Sequence, residues 1–116
     1  MGRVGGLAGI ICTCTVALLS VPASGAQYFL SGSDLYRDCK GDTFGQGMCL
    51  GLVVGAIDEW ENWRANQRLP PCLPSAVDAD QLRDVVVKYL EDHPELRDQT
   101  AWGLVVQAAD REWNCK

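Results

Sequence analysis

The chain has 116 residues, with ten Lys and Arg, fifteen Asp and Glu and a single His, so its net charge at pH 7 is −5. This length allows one small domain, and no basic residues cluster as they would on a nucleic-acid-binding surface. An acidic surface either steers a basic protein partner or simply keeps a small protein in solution, and the composition leaves both interpretations open.

The N-terminal segment has the pattern of a secretory signal peptide. Arg3 supplies a positive start, Val4 to Val21 carry no charge, and the small residues Ser24 and Ala26 precede the predicted cleavage site. A retained membrane anchor is the alternative, because a stretch of this length can just cross a bilayer. We expect residues 1–26 to be removed, which leaves residues 27–116 as an exported domain without membrane attachment.

Four cysteines remain in that domain: Cys39, Cys49, Cys72 and Cys115. An even number of cysteines in a short exported chain predicts disulfides, here two. Zinc is the competing use, but no Cys-x-x-Cys pair is present and the only histidine is His93. We therefore expect no metal and no cofactor.

The first helix is predicted to begin at Ser31, whose side chain can cap it, with Asp34 near the positive end of the helix dipole. The second is predicted from about Met48 to the Arg64 region, after a connection loosened by Gly45 and Gly47. Its first half is apolar on nearly every side, which is typical of a buried helix.

Two further glycines, Gly51 and Gly55, lie four residues apart on one stripe of this second helix. Each costs roughly 1 kcal/mol relative to Ala, so we expect a neighbouring helix to cross closely there. Random sequence drift would leave the same pattern.

A proline-rich linker centred on Cys72 separates the second helix from the third. Asp78 and Gln81 have the spacing of a capping box at the start of the third helix. Its apolar stripe consists of Leu82, Val85, Val86, Tyr89 and Leu90. His93-Pro94 breaks the chain before a last helix, whose apolar face consists of Ala101, Leu104, Val105, Ala108 and Ala109. The predicted fold class is all-α: a small single-domain bundle of four main helices stapled by two disulfides.

Helix order favours one of the three possible disulfide connectivities. Cys39 and Cys49 flank the short connection between the first two helices. Cys72 precedes the third helix and Cys115 ends the fourth, and antiparallel neighbours bring those two ends together. We expect the pairs Cys39–Cys49 and Cys72–Cys115.

Catalytic groups are scarce in this sequence, so we do not expect an enzyme. Nucleophilic catalysis needs a nucleophile beside a base, whereas the cysteines are assigned to disulfides and His93 stands alone at a turn. Asp58, Glu59 and Glu61 cluster, but on the end of an amphipathic helix they are typical of a solvated face.

Several segments in order resemble the Rap/Tai family of type VI secretion immunity proteins. These are Phe29-Leu-Ser-Gly-Ser-Asp-Leu-Tyr36, the Cys-Leu-Gly-Leu-Val-Val-Gly helix from Cys49, Cys72-Leu-Pro74, Gln81-Leu-Arg-Asp-Val-Val-Val-Lys-Tyr-Leu90, His93-Pro94 and the closing Ala-rich helix to Cys115. The Trp60-Glu-Asn-Trp63 stretch and Trp102 depart from the family pattern, and partner choice could differ at these positions.

The resemblance implies a periplasmic helical protein, commonly dimeric, that binds a peptidoglycan amidase effector and blocks its active site by occlusion. An acid-stress chaperone similar to HdeA, or an envelope adaptor protein, is the alternative. A chaperone would lose its fold near pH 3 and suppress aggregation of unrelated proteins, whereas an immunity protein binds one partner tightly at neutral pH.

The turn between the last two helices, residues 91–100, is the first candidate for partner binding. It should protrude from the end of the helix pair opposite the Cys72–Cys115 bridge, and the resemblance implies that such a loop enters the amidase cleft. The candidate residues are Glu91, Asp92, His93, Glu95, Arg97 and Asp98. An ordinary solvated turn is the competing interpretation.

Trp60 and Trp63 form the second candidate surface. Four tryptophans exceed what so small a core needs, so one or two are either exposed binding anchors or additional core filling. The glycine stripe and spare tryptophans also predict apolar surface that a homodimer would cover.

Overall fold

The computed structural model describes residues 27–116, together with the isolated Gly2 and Gly5. The predicted signal peptide and its cleavage site lie outside the described residues. Within them the chain forms α1 (Gly32–Cys39), α2 (Thr43–Asn66), α3 (Ala79–Asp92), a short 3-10 helix (Pro94–Leu96) and α4 (Ala101–Trp113). The only extended pairing in residues 27–116 is one isolated bridge between Ser31 and Thr100, so the all-α prediction is confirmed.

Two of the helix starts follow the capping signals in the sequence. Ser31 Oγ accepts a hydrogen bond from Asp34 N, and Asp34 Oδ2 accepts one from Ser31 N at 3.0 Å. Asp78 and Gln81 form the same reciprocal pair at the start of α3, at 2.8 and 3.0 Å. Each pair satisfies backbone N–H groups that have no partner inside the helix.

The predicted start of α2 at Met48 is wrong, because the helix begins five residues earlier at Thr43. Asp42 caps it by accepting a hydrogen bond from Gly45 N at 2.9 Å. Gly45 therefore belongs to the helix and not to a loose connection. A Cβ atom at Gly45 would lie 3.0 Å from Asp38 O, so this glycine allows the end of α1 to pack against the first turn of α2.

The predicted close helix crossing at Gly51 and Gly55 is also wrong. Both glycines are exposed, and a Cβ atom added at either one would meet nothing within 4 Å. The face of α2 that packs into the core is a different one, consisting of Cys49, Val53, Ala56, Ile57 and Trp60.

Side chains from all four helices meet in one core. Its largest fully buried members are Leu35 of α1, Val53 of α2, Val86 and Leu90 of α3, and Leu104 and Val105 of α4. The predicted stripe of α3 and the predicted apolar face of α4 both point into this core. No helix among the described residues has the length and apolar character needed to cross a membrane.

Both predicted disulfides are confirmed. Cys39 bonds to Cys49, with Cα atoms 5.0 Å apart, and this pair joins the end of α1 to α2. Cys72 bonds to Cys115, with Cα atoms 4.8 Å apart, which joins the linker before α3 to the end of α4. The second bond leaves residues 91–100 at the opposite end of the α3–α4 pair.

Candidate partner-binding surface

The 91–100 segment is largely exposed and is bonded to the chain around the start of α1. Gly32 N donates to Gln99 O at 2.9 Å, Ser33 N donates to Arg97 O at 2.9 Å, and Ala101 N donates to Leu30 O at 3.0 Å. The Tyr28 hydroxyl adds a hydrogen bond to Asp98 O at 2.5 Å. The segment is therefore held in one position by the chain that leads into α1.

Arg97, one of the predicted binding residues, uses its side chain inside the protein. Its Nε donates to Leu90 O at 2.7 Å, and its guanidinium lies 3.9 Å from the centre of the Tyr36 ring. This half-buried side chain ties the 3-10 helix to α1 and to the end of α3. Its contacts explain why the segment is held so close to α1.

Glu91 and Asp92 are also paired within the domain. Lys40 Nζ lies 2.6 Å from a Glu91 carboxylate oxygen, and this carboxylate raises the pKa of Lys40. Lys88 Nζ lies 2.9 Å from Asp92 Oδ2, and this ammonium group holds the pKa of Asp92 below its ordinary value. Both carboxylates remain exposed, so they stay accessible to a partner.

His93 lies between three neighbouring side chains. Its ring stacks at a tilt on Tyr89, with ring centres 4.6 Å apart. Nδ1 lies 3.1 Å from Glu95 Oε1, and Nε2 lies 3.3 Å from an Arg111 nitrogen. The pKa of Glu95 is lowered first by its own backbone N–H and then by the His93 side chain. These contacts orient the ring and the Glu95 carboxylate.

Four exposed carboxylates thus share one end of the molecule: Glu91, Asp92, Glu95 and Asp98. Next to them, a hollow of about 440 Å³ lies between α3 and α4. Its polar lining comes from Asp84, Lys88, Tyr89, Asp92, His93, Arg111 and Glu112. The structure therefore brings the predicted acidic residues together, but it assigns Arg97 to an internal role.

The two predicted tryptophans have different environments. Trp60 is 9 % exposed and belongs to the core, whereas Trp63 is 50 % exposed. Trp102, at the start of α4, is 44 % exposed and lines a cleft of about 270 Å³ together with Glu59, Trp60 and Trp63. Trp102 follows Thr100 by two residues, so this cleft adjoins the 91–100 segment.

Sequence reasoning missed the roles of Glu61 and Arg64. Glu61 was expected on a solvated face, but its carboxylate accepts hydrogen bonds from Cys72 N and Leu73 N at 2.9 and 2.8 Å. Arg64 is 5 % exposed and donates to Pro70 O and Lys116 O. One sequence signal could have indicated these roles. Glu61 and Arg64 form an i,i+3 acid–base pair directly before a proline-rich linker, whose backbone groups have no hydrogen-bond partners within a helix or strand.

Residues 27–116 contain no group of three or more His, Cys, Asp or Glu side chains arranged to hold a metal ion. All four of their cysteines are in disulfides. The surface of this disulfide-linked domain carries a set of exposed carboxylates and an aromatic cleft.

Comparison with known protein families identifies the family of this domain. The model of the Rap1a immunity proteins matches residues 31–115, so the chain belongs to that family. Membership implies an immunity protein of type VI secretion that binds a protein effector. No curated protein and no solved structure matched the chain in the other two comparisons.

Proposed function

We propose that this protein is a periplasmic immunity protein that binds a peptidoglycan amidase effector and inhibits it by covering its active site. The protein needs no catalytic group for this role. The observation that carries the proposal is the fixed acidic segment, residues 91–100, on a chain that belongs to an immunity protein family.

Backbone hydrogen bonds support the occlusion mechanism. Three of them connect the lead-in and first turn of α1 to Arg97, Gln99 and Ala101, so the segment has little freedom left to lose on binding. Preorganisation of this kind lowers the entropy cost of complex formation. The exposed carboxylates Glu95 and Asp98 would speed the encounter with a basic cleft.

The periplasmic location rests on two features of the chain. Residues 1–26 have the pattern of a signal peptide, and peptidoglycan lies in the compartment to which that peptide would direct the protein. The disulfides Cys39–Cys49 and Cys72–Cys115 fit an oxidising compartment.

The test uses purified type VI amidase effectors encoded beside this gene or in sister strains. Cleavage of purified peptidoglycan is measured with increasing amounts of the protein, and stoichiometric inhibition by the wild type is expected. The double variant Glu95→Ala/Asp98→Ala should inhibit at least tenfold less well at an unchanged melting temperature. Arg97 is left intact because its side chain supports the fold.

Asp58→Ala/Asp110→Ala is the matched control, since it removes two exposed carboxylates that make no hydrogen bond or ion pair among the described residues. It should inhibit like the wild type. Full inhibition by the Glu95/Asp98 variant would place the interface elsewhere. Failure to inhibit any amidase, combined with suppression of protein aggregation near pH 3, would favour the acid-stress chaperone instead.

A further inference from the structure

The aromatic cleft has a lining that suits one class of ligand. Its volume of about 270 Å³ is enough for a single long side chain, and its walls are Glu59, Trp60, Trp63 and Trp102. Trp60 is nearly buried and forms the base, whereas Trp63 and Trp102 are half exposed at the mouth. Exposed aromatic groups that converge on one hollow are typical of a binding site.

Glu59 gives the cleft its charge preference. Among residues 27–116 this carboxylate forms no ion pair, and it lies four residues before Trp63 on the same side of α2. The faces of tryptophan rings carry partial negative charge and attract cations. A carboxylate beside these ring faces also attracts cations. The cleft therefore favours a positively charged group.

Arg64 shows that one of these rings already accommodates a guanidinium. Its Cζ atom lies 5.2 Å from the centre of the Trp60 ring, and the group is buried and held by Pro70 O and Lys116 O. Because Arg64 is committed to those partners, it cannot turn to neutralise Glu59. An incoming cation would contact Trp63 and Trp102.

We propose that this cleft binds an arginine side chain of the protein effector. The identity of the partner rests on the proposed function, whereas the ligand chemistry rests on the cleft. A planar guanidinium can stack on a tryptophan and pair with a carboxylate at the same time, which the compact ammonium group of lysine does less well. An apolar side chain would fill the volume but would leave the Glu59 carboxylate desolvated without a partner.

The first test uses the isolated protein and needs no effector. N-acetyl-arginine amide is titrated while the four indole N–H signals are followed by NMR, with N-acetyl-citrulline amide as the uncharged isostere. Saturable shifts of the Trp63 and Trp102 signals are expected with arginine, at a dissociation constant on the order of 10 mM for so small a probe. Trp113, outside the cleft, should not shift.

Glu59→Gln should weaken arginine binding roughly threefold, as expected for loss of one exposed ion pair, while Asp110→Asn should leave it unchanged. Equal shifts with citrulline, equal shifts of Trp113, or no shifts at all would overturn the proposal.

The second test repeats the amidase inhibition assay with Trp63→Ala/Trp102→Ala and with Glu59→Gln. Weaker inhibition by both variants is expected, at unchanged secondary structure in circular dichroism. Inhibition at the wild-type level by both would contradict a role for the cleft while leaving the proposed function intact. If the protein binds arginine but inhibits no amidase, the proposed function is contradicted. The assignment of the cleft as an arginine-binding site then still holds.

Discussion

Arg64 is the buried charged side chain of residues 27–116, and its neighbours explain how the fold tolerates it. Two of its nitrogens donate to Pro70 O at 3.1 and 2.8 Å, and one donates to Lys116 O at 2.5 Å. Glu61, three residues earlier, holds the backbone of Cys72 and Leu73. This pair therefore positions both the proline-rich linker and the C-terminal residues around the Cys72–Cys115 disulfide.

Arg64→Ala should lower the free energy of unfolding by about 3 kcal/mol, because it removes a buried guanidinium that bonds to Pro70 O and Lys116 O and lies over the Trp60 ring. Arg64→Lys should recover only part of this loss, since an ammonium group cannot reproduce the fork of the guanidinium. Urea unfolding followed by circular dichroism measures both. Arg83→Ala, which breaks surface ion pairs with Asp80 and Asp84, is the control and should cost less than about 1 kcal/mol. Equal unfolding midpoints for Arg64→Ala and Arg83→Ala would contradict the anchoring role.

Asp34 predicts a pH dependence of stability. The backbone N–H and the hydroxyl of Ser31, with Arg37, hold the pKa of this carboxyl below its ordinary value of 3.8. A pKa lowered by folding contributes stability above the unfolded value, and this contribution is lost as the pH falls through the folded value. Asp34→Asn should therefore be less stable than the wild type at pH 7, and the difference should shrink towards pH 3. A difference of the same size at both pH values would show that the charge of Asp34 does not matter.

At the scale of the elements, the sequence predicted a helix start correctly where neighbouring residues alone determine it. The capping pairs at Ser31 and Asp78 marked two helix starts because they act between residues three apart. The start of α2 was missed because Gly45 reads as a helix breaker unless the neighbouring end of α1 is known. Whether a contact forms between distant segments depends on tertiary packing, which no local pattern records.

The same limit applies to the candidate site. The acidic residues of the 91–100 segment were predictable from their charge and position between two helices. The internal role of Arg97 was not, because Tyr36, the ring it covers, lies far away in the sequence. Likewise, the sequence showed that Gly51 and Gly55 form a stripe, but not whether that stripe faces the core or the solvent.

At Gly32, α1 lies very close to both α4 and the 91–100 segment. A Cβ atom there would collide with the Leu104 side chain and would lie 3.0 Å from Arg97 Cα. Leu104 is fully buried in the core, and the Arg97 atoms belong to the backbone, so neither neighbour gives way without a shift of its surroundings. Gly32→Ala should therefore destabilise the protein by about 1–3 kcal/mol, the usual cost of overpacking a core.

Gly51→Ala is the matched control for Gly32→Ala, because its new Cβ meets nothing in the monomer. In an exposed helix interior this change should stabilise the monomer by about 0.5–1 kcal/mol. Thermal unfolding of both variants at low protein concentration gives the comparison. A Gly32→Ala protein as stable as the wild type would mean that α1 can shift away from α4 at little cost.

At the scale of the whole molecule, one stretch of exposed apolar surface lies along the N-terminal half of α2. Phe44 is 77 % exposed and Met48 is 47 % exposed, and both flank the exposed glycines Gly47, Gly51 and Gly55. Gly55 lies one helical turn before Glu59, so this α2 face borders the aromatic cleft at one end. A contiguous exposed apolar face of this kind favours association with another protein surface.

We expect two copies of the chain to associate through this α2 face, with the glycines allowing the two helices to approach closely. In light scattering at tens of micromolar, the wild type should have twice the mass of one chain, as closed two-fold pairing requires. Gly51→Leu should give a folded monomer, since the new side chain has space within one protomer but obstructs the second helix. Ala76→Leu, another exposed small residue but outside α2, should remain a dimer. A wild type that stays monomeric, or a Gly51→Leu protein that still dimerises, would rule out pairing through this face. In either case Phe44 and Met48 would need a different partner.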